Sequence, residues 1–191
     1  MRLFTALKLP DLVRDHLWGI GQAANDKWYG HYGADSGLRW KKSQNLHVTL
    51  KFLGSVDDAI VPRLIEALRE AERGETITLA CVGLLLLPPR GPVRIVAATL
   101  GGDVGRLSQL YESVEEVVER FEVPGERRAY TPHVTLARCG KQPVTARREQ
   151  LRLSIDERWP GPSWECRSFA LIQSVLDADG ATYTKLAEFR A

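Results

Sequence analysis

Several absences narrow the reading of this 191-residue chain. Its three cysteines, Cys81, Cys139 and Cys166, are odd in number and form no Cys-x-x-Cys pair, which argues against a disulfide framework or a zinc knuckle. The longest apolar run, Val82 to Pro88, falls far short of the ~20 residues of a membrane helix. The start, Met1-Arg2-Leu3-Phe4-Thr5, lacks an apolar signal segment, so a cytoplasmic protein with no membrane partner is expected. No Gly-rich phosphate loop opens a predicted helix, which leaves P-loop and dinucleotide-binding readings without their chemistry. Charge of one sign is scarce as well: 26 basic against 24 acidic residues leave +2, too little to mark a nucleic-acid binder.

What is present is an ordinary globular composition, 44% hydrophobic and 26% charged, long enough for one large domain or two lobes sharing a core. The charge is unevenly spread. Ser36 to Val56 holds Arg39, Lys41, Lys42 and Lys51 with no acid, and Arg127 to Arg148 holds Arg127, Arg128, Arg138, Lys141, Arg147 and Arg148, again with none. Taken alone, either stretch is as well explained by a solvated loop.

Periodicity predicts a strand over Arg2–Leu7, a helix from Pro10-Asp11, a Gly-rich loop over Gly30–Gly37 and a strand over Asn45–Leu53. A helix capped near Ser55–Asp58 and a strand over Thr76–Val82 follow. The sharpest break is Pro88-Pro89-Arg90-Gly91-Pro92. Beyond it come a strand over Val93–Leu100, a helix over Val104–Phe121, a turn at Pro124-Gly125 and a strand over His133–Ala137. A helical or irregular basic segment over Val144–Arg152 precedes strands over Ser168–Leu176 and Thr182–Phe189, with Asp179-Gly180 as a hairpin signal. The same order of elements occurs before and after the break, so an internal duplication is expected within a single domain over 1–191, with halves of about 1–87 and 93–191. Strands joined by helices also allow a doubly wound parallel sheet.

His47-Val48-Thr49-Leu50 and His133-Val134-Thr135-Leu136 are one tetrapeptide used twice, 86 residues apart, in a chain with four histidines. Chance gives such a repeat roughly once in a thousand at average residue frequencies. In a strand, His and Thr share one face and Val and Leu the other, so Val48, Leu50, Val134 and Leu136 pack inward while His47, Thr49, His133 and Thr135 face a polar cleft. An approximate two-fold brings both His-Thr pairs to one groove. Two imidazoles across a phosphodiester can act as base and acid near neutral pH, and threonine hydroxyls can orient the non-bridging oxygens. Proton transfer at both ends needs neither metal nor cofactor, and His16 and His31 do not stand at ligand spacing from the motifs.

Asn45 to Gly54 around the first motif and Tyr130 to Arg138 around the second resemble the two-histidine phosphoesterases, and within them the bacterial and archaeal RNA 2′,3′-cyclic phosphodiesterases, historically called 2′-5′ RNA ligases. The likeness extends from Arg2–Leu7 to Leu176, Gly180, Tyr183 and Phe189. It implies a bilobal α+β fold of two antiparallel sheets with outer helices and a central groove, in place of the parallel sheet. It further implies hydrolysis of RNA 3′ ends bearing a 2′,3′-cyclic phosphate, tRNA fragments among them, to a 2′-phosphomonoester, a reaction observed in reverse as 2′-5′ ligation when RNA ends are supplied at high concentration. His47 would be the proton donor to the leaving 3′ oxygen and His133 the proton acceptor from water, with roles that substrate orientation can exchange.

Phe52 and Arg138 stand five residues after each histidine, where the resemblance implies a stacking residue and a phosphate or base contact. Strict alternation would turn both to the core. An unpaired arginine is not buried, so a strand end or bulge before position 138 is expected, while Phe52 remains open between groove and core. Lys51 shares the face of His47 in a regular strand and is a second phosphate candidate; its counterpart Ala137 carries no charge. Trp40, Tyr130 and the aromatic run Trp28, Tyr29 and Tyr32 are candidates for stacking on unpaired bases, with core packing the equal alternative for Trp40. A monomer is expected. The alternatives are a phosphodiesterase for a small nucleotide, such as ADP-ribose 1″,2″-cyclic phosphate or a 2′-5′ oligonucleotide, and an RNA-end-binding protein without turnover.

Overall fold

A computed structural model describes residues 1–32, 37–121, 123, 129–140, 148–155, 159–177 and 180–191. Among them, nine strands and four α-helices follow one another along the chain as β1 (Arg2–Lys8), α1 (Asp11–Tyr32), β2 (Leu38–Trp40), β3 (His47–Ser55), α2 (Val61–Leu68), β4 (Ile77–Leu87), β5 (Ile95–Gly102), α3 (Val104–Glu119), β6 (His133–Cys139), α4 (Arg148–Ser154), β7 (Ser163–Cys166), β8 (Ser168–Asp177) and β9 (Gly180–Arg190). The fold is α+β. Eight strands run in the order β7-β4-β5-β6-β3-β1-β8-β9, with β2 added beside β6. Every strand pair is antiparallel, which overturns the parallel alternative. None of the described helices is long and apolar enough to cross a membrane.

The sheet divides at its centre into β3-β1-β8-β9 and β6-β5-β4-β7, joined through the single pair Val48↔Val134. The halves of the sequence exchange elements across this seam. β4, from the first half, pairs with β5, and β8, from the second half, pairs with β1. The long helices cross over too, α1 packing against β6 and α3 against β3. On α3, Leu107, Leu110, Val114, Val117 and Val118 recur at helical spacing and are buried. They enter a continuous core with Val48, Leu50, Val134 and Leu136 from the apolar face of the motif strands.

Several boundaries differ from the periodicity. Asn45 lies in a short 3-10 turn before β3, and a second such turn, capped by the Asp57 side chain, precedes α2. The strand expected to end at Val82 continues to Leu87, because β5 pairs with it all the way to Leu87↔Ile95. β2 and β7, of three and four residues, are too short to show a period. α1 extends through Gly30 to Tyr32, replacing the start of the expected glycine loop, and Trp28 is only 1% exposed inside the helix packing, so it does not meet bases. The rest of that loop, the side chains of Tyr29 and Tyr32, the Pro124-Gly125 turn and the basic residues Arg127, Arg128, Lys141 and Arg147 lie outside the described residues. β8 and β9 pair out to Asp177↔Gly180, while Asp179 of the expected hairpin signal lies outside the described residues.

Candidate active site

The central pair Val48↔Val134 builds the site. One residue's step along antiparallel strands brings Thr49 alongside His133 and His47 alongside Thr135, all four on the face opposite the buried valines. Each histidine thus has the other motif's threonine as its cross-strand neighbour. The four side chains line one groove of about 520 Å³.

Both strands then break step at the same place. β1 pairs Ala6 with Thr49 and Thr5 with Lys51, passing over Leu50; β5 pairs Ala97 with Thr135 and Val96 with Ala137, passing over Leu136. A bulge at the last residue of each tetrapeptide reverses the parity of the residues that directly follow it. Leu50 and Lys51 are consecutively buried, as are Leu136 and Ala137, and Phe52 and Arg138 return to the histidine face. Phe52 is 55% exposed and lines the groove with Arg138. The conflict between alternation and the offset of five residues is resolved by two equivalent bulges.

The same bulge corrects the expectation for Lys51. Its side chain is 4% exposed and its ammonium sits 2.6 Å from the Glu115 carboxylate of α3, so its charge is spent beneath the sheet and not beside His47. Trp40 is also displaced from the groove. It packs, partly buried, against two core clusters, its ring close enough to α1 that a Cβ on Gly21 would approach within 3.3 Å. Tyr130 stacks face to face on Tyr111 with centroids 4.2 Å apart and donates its hydroxyl proton to the Thr49 carbonyl, 3.0 Å away. It borders a neighbouring groove instead of the histidine groove. Of the basic stretches, Lys41 and Arg138 reach the histidine groove, whereas Arg148 donates to the carbonyls of Pro88 and Gly91 and pins the proline turn.

The two imidazoles are held by one device. Nδ1 of His47 donates to the Asn45 carbonyl at 2.9 Å and Nδ1 of His133 to the Thr131 carbonyl at 2.7 Å, each two residues upstream. A carbonyl only accepts, so Nδ1 carries the proton and Nε2 is left for the groove. Asn45 in turn donates from Nδ2 to the Ala181 carbonyl at 2.7 Å, tying the His47 loop to β9. His47 also lies against Phe4 and Tyr183, with ring centroids 4.9 and 5.4 Å away.

Burial lowers the pKa of His47 from 6.5 to about 4, and the positive charges of Lys41, Arg138 and His133 push the same way against the bond to Asn45. Lys41 is lowered by burial and by Arg138. Lys41 and Arg138 thus set positive charge beside a largely uncharged His47, an arrangement that suits an anion. Among the described residues, no three of His, Cys, Asp and Glu gather into a metal cage.

Sequence reasoning passed over Arg2, Phe4, Asn45 and Tyr183 as groove residues and counted Lys41 only as part of a basic stretch. Phe4 and Tyr183 reach the site because β1 and β9 lie on the His47 side of the sheet, a placement that local pattern does not reveal.

Two His-x-Thr strands set antiparallel over one cationic groove define a two-histidine phosphoesterase. A family described as LigT like phosphoesterase matches residues 21–96. The chain is 31% identical over 155 residues to an RNA 2′,3′-cyclic phosphodiesterase of Aeropyrum pernix, covering 81% of this chain and 86% of the relative. It is also 31% identical over 200 residues to the protein of the same name from Thermus thermophilus, covering 99% and 89%. Among solved structures, TT0787 of Thermus thermophilus superposes with a TM-score of 0.76 at 27% identity, over 100% of this chain and 97% of that one. The chain belongs to the LigT-like phosphoesterase family.

Proposed function

We propose that the protein hydrolyses the 2′,3′-cyclic phosphate at the 3′ end of an RNA to a 2′-phosphomonoester. The observation that carries this reading is the matched pinning of both Nδ1 atoms, which leaves two Nε2 atoms for one groove lined by Lys41 and Arg138. The names of the relatives support the same substrate class.

In this reading, His133 Nε2 takes a proton from water, the water oxygen attacks phosphorus opposite O3′, and His47 Nε2 gives a proton to O3′ as the P–O3′ bond breaks. Thr49, Thr135, Lys41 and Arg138 hold the non-bridging oxygens, and Phe52 stacks on the terminal base. The low pKa of His47 is consistent with a donor role once substrate is present. Burial is the main cause of that low value, and the phosphodiester anion counters the smaller contributions of Lys41 and Arg138, which favours the charged imidazole when substrate is bound.

The test is incubation with a short RNA ending in a 2′,3′-cyclic phosphate in excess EDTA, with the product compared chromatographically with authentic 2′- and 3′-phosphates. Formation of the 2′-phosphate, reduced by more than ~10²-fold in both His47→Ala and His133→Ala, is expected. RNA binding without turnover would sink the hydrolase reading in favour of an RNA-end-binding protein. Turnover confined to mononucleotides would move the substrate to a small cyclic nucleotide.

A further inference from the structure

The ladder between the two motif strands is a single pair, Val48↔Val134. One pair fixes the valines but leaves the angle between the strands poorly determined, and the separation of Thr49 from His133 depends on that angle. A long-range side-chain bond supplies a second constraint. The phenol of Tyr130 donates to the Thr49 carbonyl at 3.0 Å, joining positions 81 residues apart.

Tyr130 stands one residue before Thr131, whose carbonyl holds Nδ1 of His133 at 2.7 Å. Ala129 and Thr131 are exposed on either side of it, whereas Tyr130 is partly buried against the core, its ring flat on Tyr111 of α3 with an interplanar angle of 1°. Tyr130 therefore ties the segment that carries the His133 acceptor both to α3 and to β3. Burial, with a smaller push from Tyr111, raises the pKa of the phenol, so the hydroxyl remains a donor wherever the histidines titrate. On the His47 side the corresponding tie is made by Asn45 itself, from Nδ2 to the Ala181 carbonyl of β9. That bond leads away from the second motif, whereas the bond of Tyr130 leads into the first.

We infer that Tyr130 is a positioning residue for the reaction, its hydroxyl setting the Thr131 carbonyl, and with it the His133 imidazole, at a fixed place relative to Thr49. The inference rests on the hydrolytic reading of the site given above. Proton transfer requires the base within hydrogen-bond reach of the attacking water, and a misplacement of about 1 Å can cost on the order of 10²-fold in rate.

The experiment compares Tyr130→Phe with the wild type on a short RNA ending in a 2′,3′-cyclic phosphate. The variant keeps the ring and its stack and loses only the hydroxyl, so Tm is expected to fall by about 2–4 °C, as for one hydrogen bond. A fall in kcat of at least ~10-fold is expected, with KM changed by less than about twofold, the pattern of an interaction that serves the transition state alone. Heteronuclear NMR of the imidazole nitrogens is the readout that a purely structural role would not move. His133 is expected to carry its proton on Nδ1 in the wild type and to show a mixture of tautomers in Tyr130→Phe, with His47 unchanged. Tyr111→Leu, which keeps the hydroxyl but removes the ring stacked on it, is expected to lower kcat by a smaller factor. Unchanged kcat with an unchanged His133 spectrum in Tyr130→Phe, whatever its Tm, would overturn the inference. A raised KM at unchanged kcat would overturn it too, since that is the behaviour of a substrate contact. A wild type that forms no 2′-phosphate would overturn the hydrolytic reading instead, and identical His133 spectra in the two proteins would then overturn the positioning role as well.

Discussion

Replacing Lys51 by Met tests the duplicated bulge, because the bulge is what turns this cation inward. The ammonium lies 2.6 Å from Glu115, with the two side chains 4% and 15% exposed. Removing one partner of a buried ion pair leaves the other charge poorly solvated, at a cost of about 3 kcal/mol. For a chain of this size each kcal/mol moves Tm by roughly 2–4 °C, so Lys51→Met is expected to melt about 6–12 °C lower. The double variant Lys51→Met/Glu115→Leu removes both charges and is expected to recover most of the loss, giving a coupling of at least about 1.5 kcal/mol in a double-mutant cycle. Calorimetry or denaturant melts supply the stabilities, and steady-state kinetics on a cyclic phosphate supply KM. A Lys51→Met variant with unchanged Tm and a strongly raised KM would refute the reasoning, since that is the behaviour of a phosphate ligand in the groove.

Phe52→Ala, which removes an exposed ring from the groove wall, is expected to raise KM for RNA cyclic phosphates roughly tenfold while changing Tm little, as loss of one base-stacking contact of about 1–3 kcal/mol would. Arg138→Gln removes one of the charges that depress His47, so the imidazole should titrate at higher pH in histidine NMR spectra; a downward or null displacement would contradict the assigned cause. His47 is held below its unfolded value of 6.5, at about 4, so its neutral form stabilises the fold fully above pH ~6.5. That contribution, about 2–3 kcal/mol, is lost as pH falls from 6.5 toward 4, because the unfolded chain takes up the proton first. Denaturant melts of the wild type and His47→Asn at pH 7 and pH 4.5 should show the larger loss in the wild type.

What could be read from the sequence was whatever depended on period alone. Strand parity separates His and Thr from Val and Leu, and the structure buries Val48, Leu50, Val134 and Leu136 in one core. The residues just past each motif were not legible by the same rule. Whether Leu50 and Leu136 are skipped is decided by their partners on β1 and β5, which lie far away along the chain. The offset of five residues shared by Phe52 and Arg138 did carry a signal. An arginine assigned to the core face conflicts with the cost of burying an unpaired charge, and that conflict implies a bulge. No such conflict arises for Lys51, whose assigned face was polar, so its true partner on α3 was invisible until the helices were placed.

The exchange of elements between the halves explains why one duplicated motif yields two unlike environments. β3 sits above α3 and beside β1, so the position after its bulge meets Glu115, and His47 is enclosed by Phe4 of β1 and Tyr183 of β9. β6 sits above α1, so the equivalent position is the small Ala137, packed in the cluster with Ile20, Ala24 and Trp28. The backbone device, a carbonyl two residues upstream holding Nδ1, is the same in both. What differs is the wall: aromatic rings close over His47, while on the His133 side the site continues into a second groove. In the proposed hydrolysis the two imidazoles have unlike tasks, and their surroundings are unlike: His47 packs against Phe4 and Tyr183 and is held at a lowered pKa, while His133 borders both grooves. The repeat supplies the two imidazoles, and the crossing of the halves makes them unequal.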